Sequence, residues 1–207
     1  TNTLILDRML LVYEEGHRNR LKYLNKQLSG SGKAKGREVL ALYDDPDGVA
    51  AFSKRSKVTP FNQSLTVLAY KRLARNDVRE AVKQYQRTMD GQHYSKAKRQ
   101  LLADYTASRL FSTDDEALLR WRDDKVATSN STNLLERRIR VAIRKADWKE
   151  AGLWINRLPE AALDSTRWTF WRAKLQAKAG NEAAAEELYR SILGQRDFYS
   201  AAAATVL

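Results

Sequence analysis

Cysteine is absent from the chain, which excludes disulfides and thiolate metal sites and is compatible with either an oxidising or a reducing compartment. Only three prolines and nine glycines punctuate 207 residues, and β-branched runs are few. Long stretches therefore lack a backbone breaker, which favours an all-α class. No apolar run approaches the roughly 20 residues of a membrane span. Histidine occurs only as His17 and His93, each at an expected helix boundary and neither followed by a ligand three or four residues on. No metal, cofactor or histidine-based catalysis is expected from them.

Other signs of chemistry are equally sparse. The glycine-rich stretch Ser29 to Gly36 fails as a phosphate loop, because Gln27 stands where the first glycine is needed and Ala34 where Ser or Thr is needed. It reads instead as the most flexible composition in the chain. Asp44-Asp45-Pro46-Asp47-Gly48 lacks the alternating spacing and distal Glu of a calcium loop and reads as a turn with a helix cap. The acids Asp114-Asp115-Glu116 and Asp123-Asp124 are adjacent, which suits caps and helix-dipole partners better than a pair of catalytic carboxyls across a cleft.

What the chain has in excess is positive charge. Thirty-seven Lys and Arg face 25 Asp and Glu, a net +12, which suggests anionic partners. The excess is concentrated: residues 17–76 hold 13 bases and only four acids, Glu38, Asp44, Asp45 and Asp47. Arg18, Arg20, Lys22, Lys71, Arg72 and Arg75 are the candidate contacts to an anionic ligand. No helix-turn-helix turn or basic-aromatic platform accompanies them, so nucleic acid is not expected as the partner.

Apolar spacing predicts about a dozen helices and no strand. Leu163, Trp168, Trp171, Leu175 and Ala179 approximate one helical face. After a break at Ala179-Gly180-Asn181, a second face follows through Ala184, Ala185, Leu188, Tyr189, Ile192 and Leu193, with Asn181 as N-cap. The phrase around Ala146-Asp147 precedes its counterpart at Gly180-Asn181 by 34 residues, and Asn76-Asp77 opens a third copy 70 residues before Ala146. A period near 34 is that of tetratricopeptide hairpins. The full consensus is missing, and an ordinary antiparallel bundle gives loosely similar spacing, so the expectation is TPR-like hairpins stacked in a right-handed superhelix (an α-α solenoid). Elsewhere, Thr59 before Pro60, Asp77, Ser131, Asp147 and Asp197 are expected helix caps, and Thr113 with Glu116 a capping box. Trp121, Trp148, Trp154, Trp168 and Trp171 are expected mostly in the core.

Trp121-Arg122-Asp123-Asp124, the run Leu134 to Ala142 (LLERRIRVA), Arg157-Leu158-Pro159, Trp168 to Ala173 (WTFWRA) and Arg196-Asp197-Phe198-Tyr199 follow one another in an order that resembles the helical superhelix of soluble lytic murein transglycosylases. Leu6-Asp7-Arg8 and Ala50-Ala51-Phe52 are weaker anchors of the same resemblance. It implies a periplasmic location, a U-shaped array of hairpins, and a lysozyme-like C-terminal domain of the same polypeptide. One glutamate of that domain cleaves the MurNAc–GlcNAc bond of peptidoglycan to a 1,6-anhydromuramoyl end. The catalytic Glu-Ser and Gly-Leu-Met-Gln motifs are absent here, so no catalytic residue carries over. All 207 residues are expected to be part of one superhelical domain. Glu136-Arg137-Arg138 are expected to serve structure.

The chain opens on Thr1-Asn2-Thr3 without Met and ends at Ala204-Thr205-Val206-Leu207 inside a helical pattern. It is accordingly expected to be an excerpt of a longer protein, itself inactive, that acts as scaffold and contacts murein. The competing reading is a stand-alone TPR-like scaffold for protein–protein interaction.

Overall fold

The computed structural model describes residues 1–207. It is all-α: fourteen α-helices and one 3-10 turn, with no strand. The chain divides into two compact units, Thr1–Lys125 and Val126–Leu207.

The first unit runs through α1 (Asn2–Glu15), α2 (Arg18–Lys26), α3 (Gly32–Asp44), the 3-10 turn Pro46–Gly48, α4 (Val49–Arg55), α5 (Pro60–Asn76), α6 (Val78–Gly91), α7 (Lys96–Ala107) and α8 (Glu116–Val126), which ends at the boundary. Its core is the fully buried set around Met9, Leu21, Val39, Phe52, Leu65, Tyr70 and Met89. Stops and starts follow the local chemistry. Gly16 takes φ 81° and closes α1, the left-handed step that glycine makes without a Cβ penalty. Thr59 accepts from the Asn62 N–H ahead of Pro60, and Asp77 accepts from that of Glu80. One cap falls elsewhere than expected. Thr113 accepts only from Asp115 N–H, while the Asp115 carboxylate takes Ala117 and Leu118 N–H and so caps α8 itself.

The glycine-rich stretch is not a flexible linker. Gly32 and Gly36 lie buried inside α3. A Cβ on Gly32 would stand 2.6 Å from the Asn2 side chain, and one on Gly36 would stand 2.2 Å from Asn25 Oδ1 and 2.4 Å from Leu28. These glycines let α3 approach α1 and α2 closely, and packing overrides their helix propensity. Gly91 does the same at the other end of the unit. Its Cβ would meet Ser53 backbone carbon at 2.5 Å and Lys54 nitrogen at 2.7 Å, so α4 and α6 touch nearly backbone to backbone.

The second unit contains α9 (Thr132–Arg144), α10 (Trp148–Ile155), α11 (Glu160–Leu163), α12 (Thr166–Lys178), α13 (Glu182–Ser191) and α14 (Phe198–Val206). The two recurrent turns are alike in backbone: Ala146 has φ 54° and Gly180 φ 85°. The Asn76 copy differs, because α5 runs on through Asn76 and Asp77 N–H bonds Leu73 carbonyl directly. What all three copies share is deeper in the hairpin. Ala81, Ala151 and Ala185 are buried, and four residues on so are Tyr85, Ile155 and Tyr189. The small residue sets the close approach and the large one fills the seam one turn later. Asn181 makes no capping bond; its amide instead donates to Gln176 Oε1. Ala179 and Ala184 are exposed, as is Leu193, so the expected apolar face is narrower than drawn.

The tryptophans separate into two groups. Trp168 and Trp154 are buried, with each indole N–H held by a glutamate: Trp168 by Glu136 at 2.8 Å and Trp154 by Glu150 at 3.1 Å. Trp121, Trp148 and Trp171 are only half-buried. Each carries a lysine over its ring, Lys125, Lys178 and Lys174 respectively. Trp168→Ala should therefore cost about 3–5 kcal/mol, and Trp171→Ala clearly less, as read by urea unfolding of each variant. Gly91→Ala should destabilise by about 1–3 kcal/mol or more through overpacking; a midpoint equal to wild type would show that α4 can move aside freely.

Candidate functional site

The six candidate cations lie on two helices of the first unit, Arg18, Arg20 and Lys22 on α2 and Lys71, Arg72 and Arg75 on α5. Two of them, Arg18 and Arg72, converge on the end of α3. Arg18 grips Asp44 with both prongs, Nε to Oδ1 at 2.6 Å and Nη2 to Oδ2 at 2.9 Å. Arg72 donates to the Tyr43 carbonyl at 2.8 Å and stacks on the Tyr43 ring, 3.9 Å from its centroid. A cation at a helix C-terminus meets the negative end of the dipole and an orphan carbonyl together. The hydrogen bond from Arg18 holds the Asp44 carboxyl below the usual carboxylate range, and the charges of Arg18, Arg72 and Lys22 add to it. Arg18 rises in return, first through that bond and then through the Asp44 charge. Burial raises the Tyr13 hydroxyl against the opposing pull of Arg72 and Arg75.

The remaining cations are less committed. Arg20 reaches Glu15 at 3.4 Å, with both side chains largely exposed. Lys22 projects into solvent. Arg75 donates to the Tyr105 hydroxyl at 3.0 Å, while Lys71 and Arg109 approach the same ring at 5.4 and 5.8 Å. A polar recess of about 450 Å³ opens beside them, lined by Arg75, Asn76, Ser108 and Arg109 among others. Charge counting missed Arg109 because it stands outside the acid-poor stretch. It stands in the turn just past the end of α7, and no helical spacing pointed to it.

Two larger clefts border α1 and α5. One, of about 710 Å³, is lined by Leu6, Asp7, Lys35, Lys57 and Phe61 among others. The other, of about 690 Å³, is lined by Asp7, Leu10, Leu11, Glu14, Val67, Lys71 and Lys98 among others. In the second unit a smaller cleft of about 390 Å³ lies beside Glu136, Arg167, Asp197 and Tyr199. Its charged groups are occupied: Glu136 holds Trp168 and Arg167, and Asp197 caps α14. Arg138, buried, pairs with Glu150 at 3.5 Å and lies over Trp154. No three His, Asp or Glu side chains converge as metal ligands, and His17 and His93 stay exposed, the latter at φ 53°. No helix is long and apolar enough to cross a membrane.

Known proteins match this arrangement along nearly its full length. A soluble lytic murein transglycosylase of Salmonella typhimurium is 30% identical over 200 residues, covering 96% of this chain. That of Escherichia coli is 30% identical over 202 residues, again covering 96%. The 70-kDa soluble lytic transglycosylase solved in complex with bulgecin A superposes over 100% of this chain with a TM-score of 0.84 at 28% identity, and its Escherichia coli structure at 1.65 Å with 0.82. No family model matches. In class, the chain is an all-α protein built of helical hairpins. Its homologues in sequence and fold are soluble lytic murein transglycosylases, of which it spans about a third: 31% of the sequence relatives and 34% of the solved chains.

The Asp44 clamp gives a direct check. Its carboxyl should titrate below the ordinary value of about 3.9 by NMR, and Arg18→Gln should return it upward. Because the folded value lies below the unfolded one, the clamp's contribution is present above the unfolded pKa and fades as pH falls through the folded pKa. An unshifted Asp44 in the wild type would mean the fork does not persist in solution.

Proposed function

We propose that this chain is the non-catalytic helical portion of a periplasmic lytic transglycosylase, the enzyme class that cleaves peptidoglycan strands to 1,6-anhydromuropeptides. In this reading the catalytic domain lies further along the same polypeptide. The helical portion is its scaffold, and the basic first unit holds murein near it. The observation that carries the reading is the match over 96% of the chain to proteins of that name, together with the absence of their catalytic motifs from these residues. This reading calls for no cofactor and no nucleic-acid partner.

The physical basis for murein contact is charge. Peptidoglycan carries carboxylates on its stem peptides, and the first unit offers cations in excess. Each exposed contact is worth about 0.2–1 kcal/mol, so binding relies on several at once. Contacts to mobile charges further away than about 8 Å are screened at physiological ionic strength. Arg18 and Arg72 are poor choices for a test because they tie α2 and α5 to α3. Arg20, Lys22, Arg75 and Arg109 are exposed.

Co-sedimentation with purified sacculi should therefore show salt-sensitive pelleting of the wild-type chain, with roughly tenfold weaker binding when those four are reversed to Glu. The chain alone should release no anhydromuropeptides. Wild-type protein that stays in the supernatant at low salt, or a reversed variant that pellets equally, removes murein contact from the reading. Anhydromuropeptide release that is abolished by mutating a carboxylate of this chain removes the non-catalytic role.

A further inference from the structure

The two large clefts adjoin at Asp7 and follow one another along α1 and α5. Both are lined by Asp7, the first continuing along α1 through Leu6 and the second through Leu10, Leu11 and Glu14. On the α5 side the lining passes from Phe61 in the first to Val67, Leu68 and Lys71 in the second. From Pro60 to Lys71 an α-helix rises about 17 Å, the length of about five extended residues. The groove therefore has the reach of a short peptide.

Its chemistry is two-signed. The α1 wall presents Asp7 and Glu14, while Lys57, Lys71 and Lys98 stand on the other elements lining the groove. None of these five takes part in a salt bridge of this unit. Opposite charges near one another usually pair; here they stand apart along a cleft, which leaves room for a ligand that carries both signs. Between them the floor is aliphatic, with Leu10, Val67 and Leu68 partly exposed and Leu11 62% exposed. A glycan is recognised largely by stacking on exposed aromatic faces, and the phenyl and phenol rings lining the clefts are the half-buried Phe61 and the buried Tyr94.

We propose that the α1–α5 groove binds a short peptide bearing carboxylates and a free amine: the peptide part of peptidoglycan and not its glycan. The inference rests on the murein reading above and sharpens it. Carboxylates meet Lys57 and Lys98, the amine meets Asp7 and Glu14, and the alanine methyls lie on the leucine and valine floor. The residues reversed in the sacculus test line neither cleft, so the two ideas fail separately.

Two probes come from one digestion of sacculi by an amidase: the released free stem peptide and the peptide-free glycan strands. In methyl NMR of the 207-residue chain, the peptide should shift Leu10, Leu11, Val67 and Leu68, and the glycan should not. Lys57→Glu with Lys98→Glu should weaken peptide binding about tenfold. Asp7→Asn with Glu14→Gln should weaken it for the native peptide but not for the peptide with its amine acetylated. All four positions are exposed, and unchanged thermal midpoints confirm folding. Glycan strands that shift the same methyls equally, or a peptide that leaves them still, overturn the proposal. If sacculi nevertheless pellet the chain in a salt-sensitive way, the murein reading survives without the groove; if they do not, both fall.

Discussion

The contact between α4 and α6 is the constraint on which the first unit depends. A helix of seven residues is far too short to hold itself together in water, so α4 exists only because α6 completes it. Gln84 Oε1 accepts the Ala50 N–H at its start, and Gln92 Nε2 donates to Ser53 and Ser56 carbonyls at its end. Ser53 Oγ donates to the Thr88 carbonyl between them at 2.6 Å. Side chains eight residues apart, one on α6 and one at its C-cap, thus bind both ends of α4, and Gly91 removes the Cβ that would hold the two helices apart. Gln92 Oε1 is left buried without a partner, an unfavourable group whose cost the two donated bonds help to offset.

From α6 the order propagates outward through tyrosines. Tyr70 on α5 donates to or accepts from Thr106 on α7 at 2.9 Å and also reaches the Ala81 carbonyl at 3.1 Å. Tyr85 donates to the Arg99 carbonyl at 2.6 Å and packs edge-on against Trp121. Burial pushes the Tyr85 hydroxyl up to about 12. Each tyrosine contributes apolar area to the seam and one directed bond across it, which fixes neighbouring helices in rotation as well as distance.

Helix order, the all-α class and most caps were legible because they are local. Asp77 and Asp147 precede a Glu by three residues, and in both the carboxylate accepts that residue's N–H. Asn181 lacks that context, with Ala184 in place of the Glu, and its side chain turns to Gln176 instead. The glycines misled for a physical reason: composition cannot distinguish a glycine that frees the chain from one that lets two helices touch. Gly32, Gly36 and Gly91 are of the second kind, and only the facing residues Asn2, Asn25 and Ser53 reveal it. The same limit applies to the candidate surface. Charge runs located the basic unit but not the groove, because its walls come from α1, α5 and the start of α7, dozens of residues apart.

Residue type separates the cations more sharply than position along the chain does. Arg18 and Arg72 are committed to a carboxylate and a carbonyl, where a planar fork with fixed donors holds two elements in register. Lys22, Lys57 and Lys98 make no side-chain hydrogen bond or salt bridge to this unit. An ammonium on a flexible stem is a strongly hydrated point charge, which suits it to contacts that form and break as a polymer moves past. Arg18 and Arg72 therefore build the basic surface, while lysine, with the exposed Arg20, Arg75 and Arg109, presents it. A scaffold that had to hold a strand without trapping it would need that division, since a bidentate arginine grip at every site would slow release.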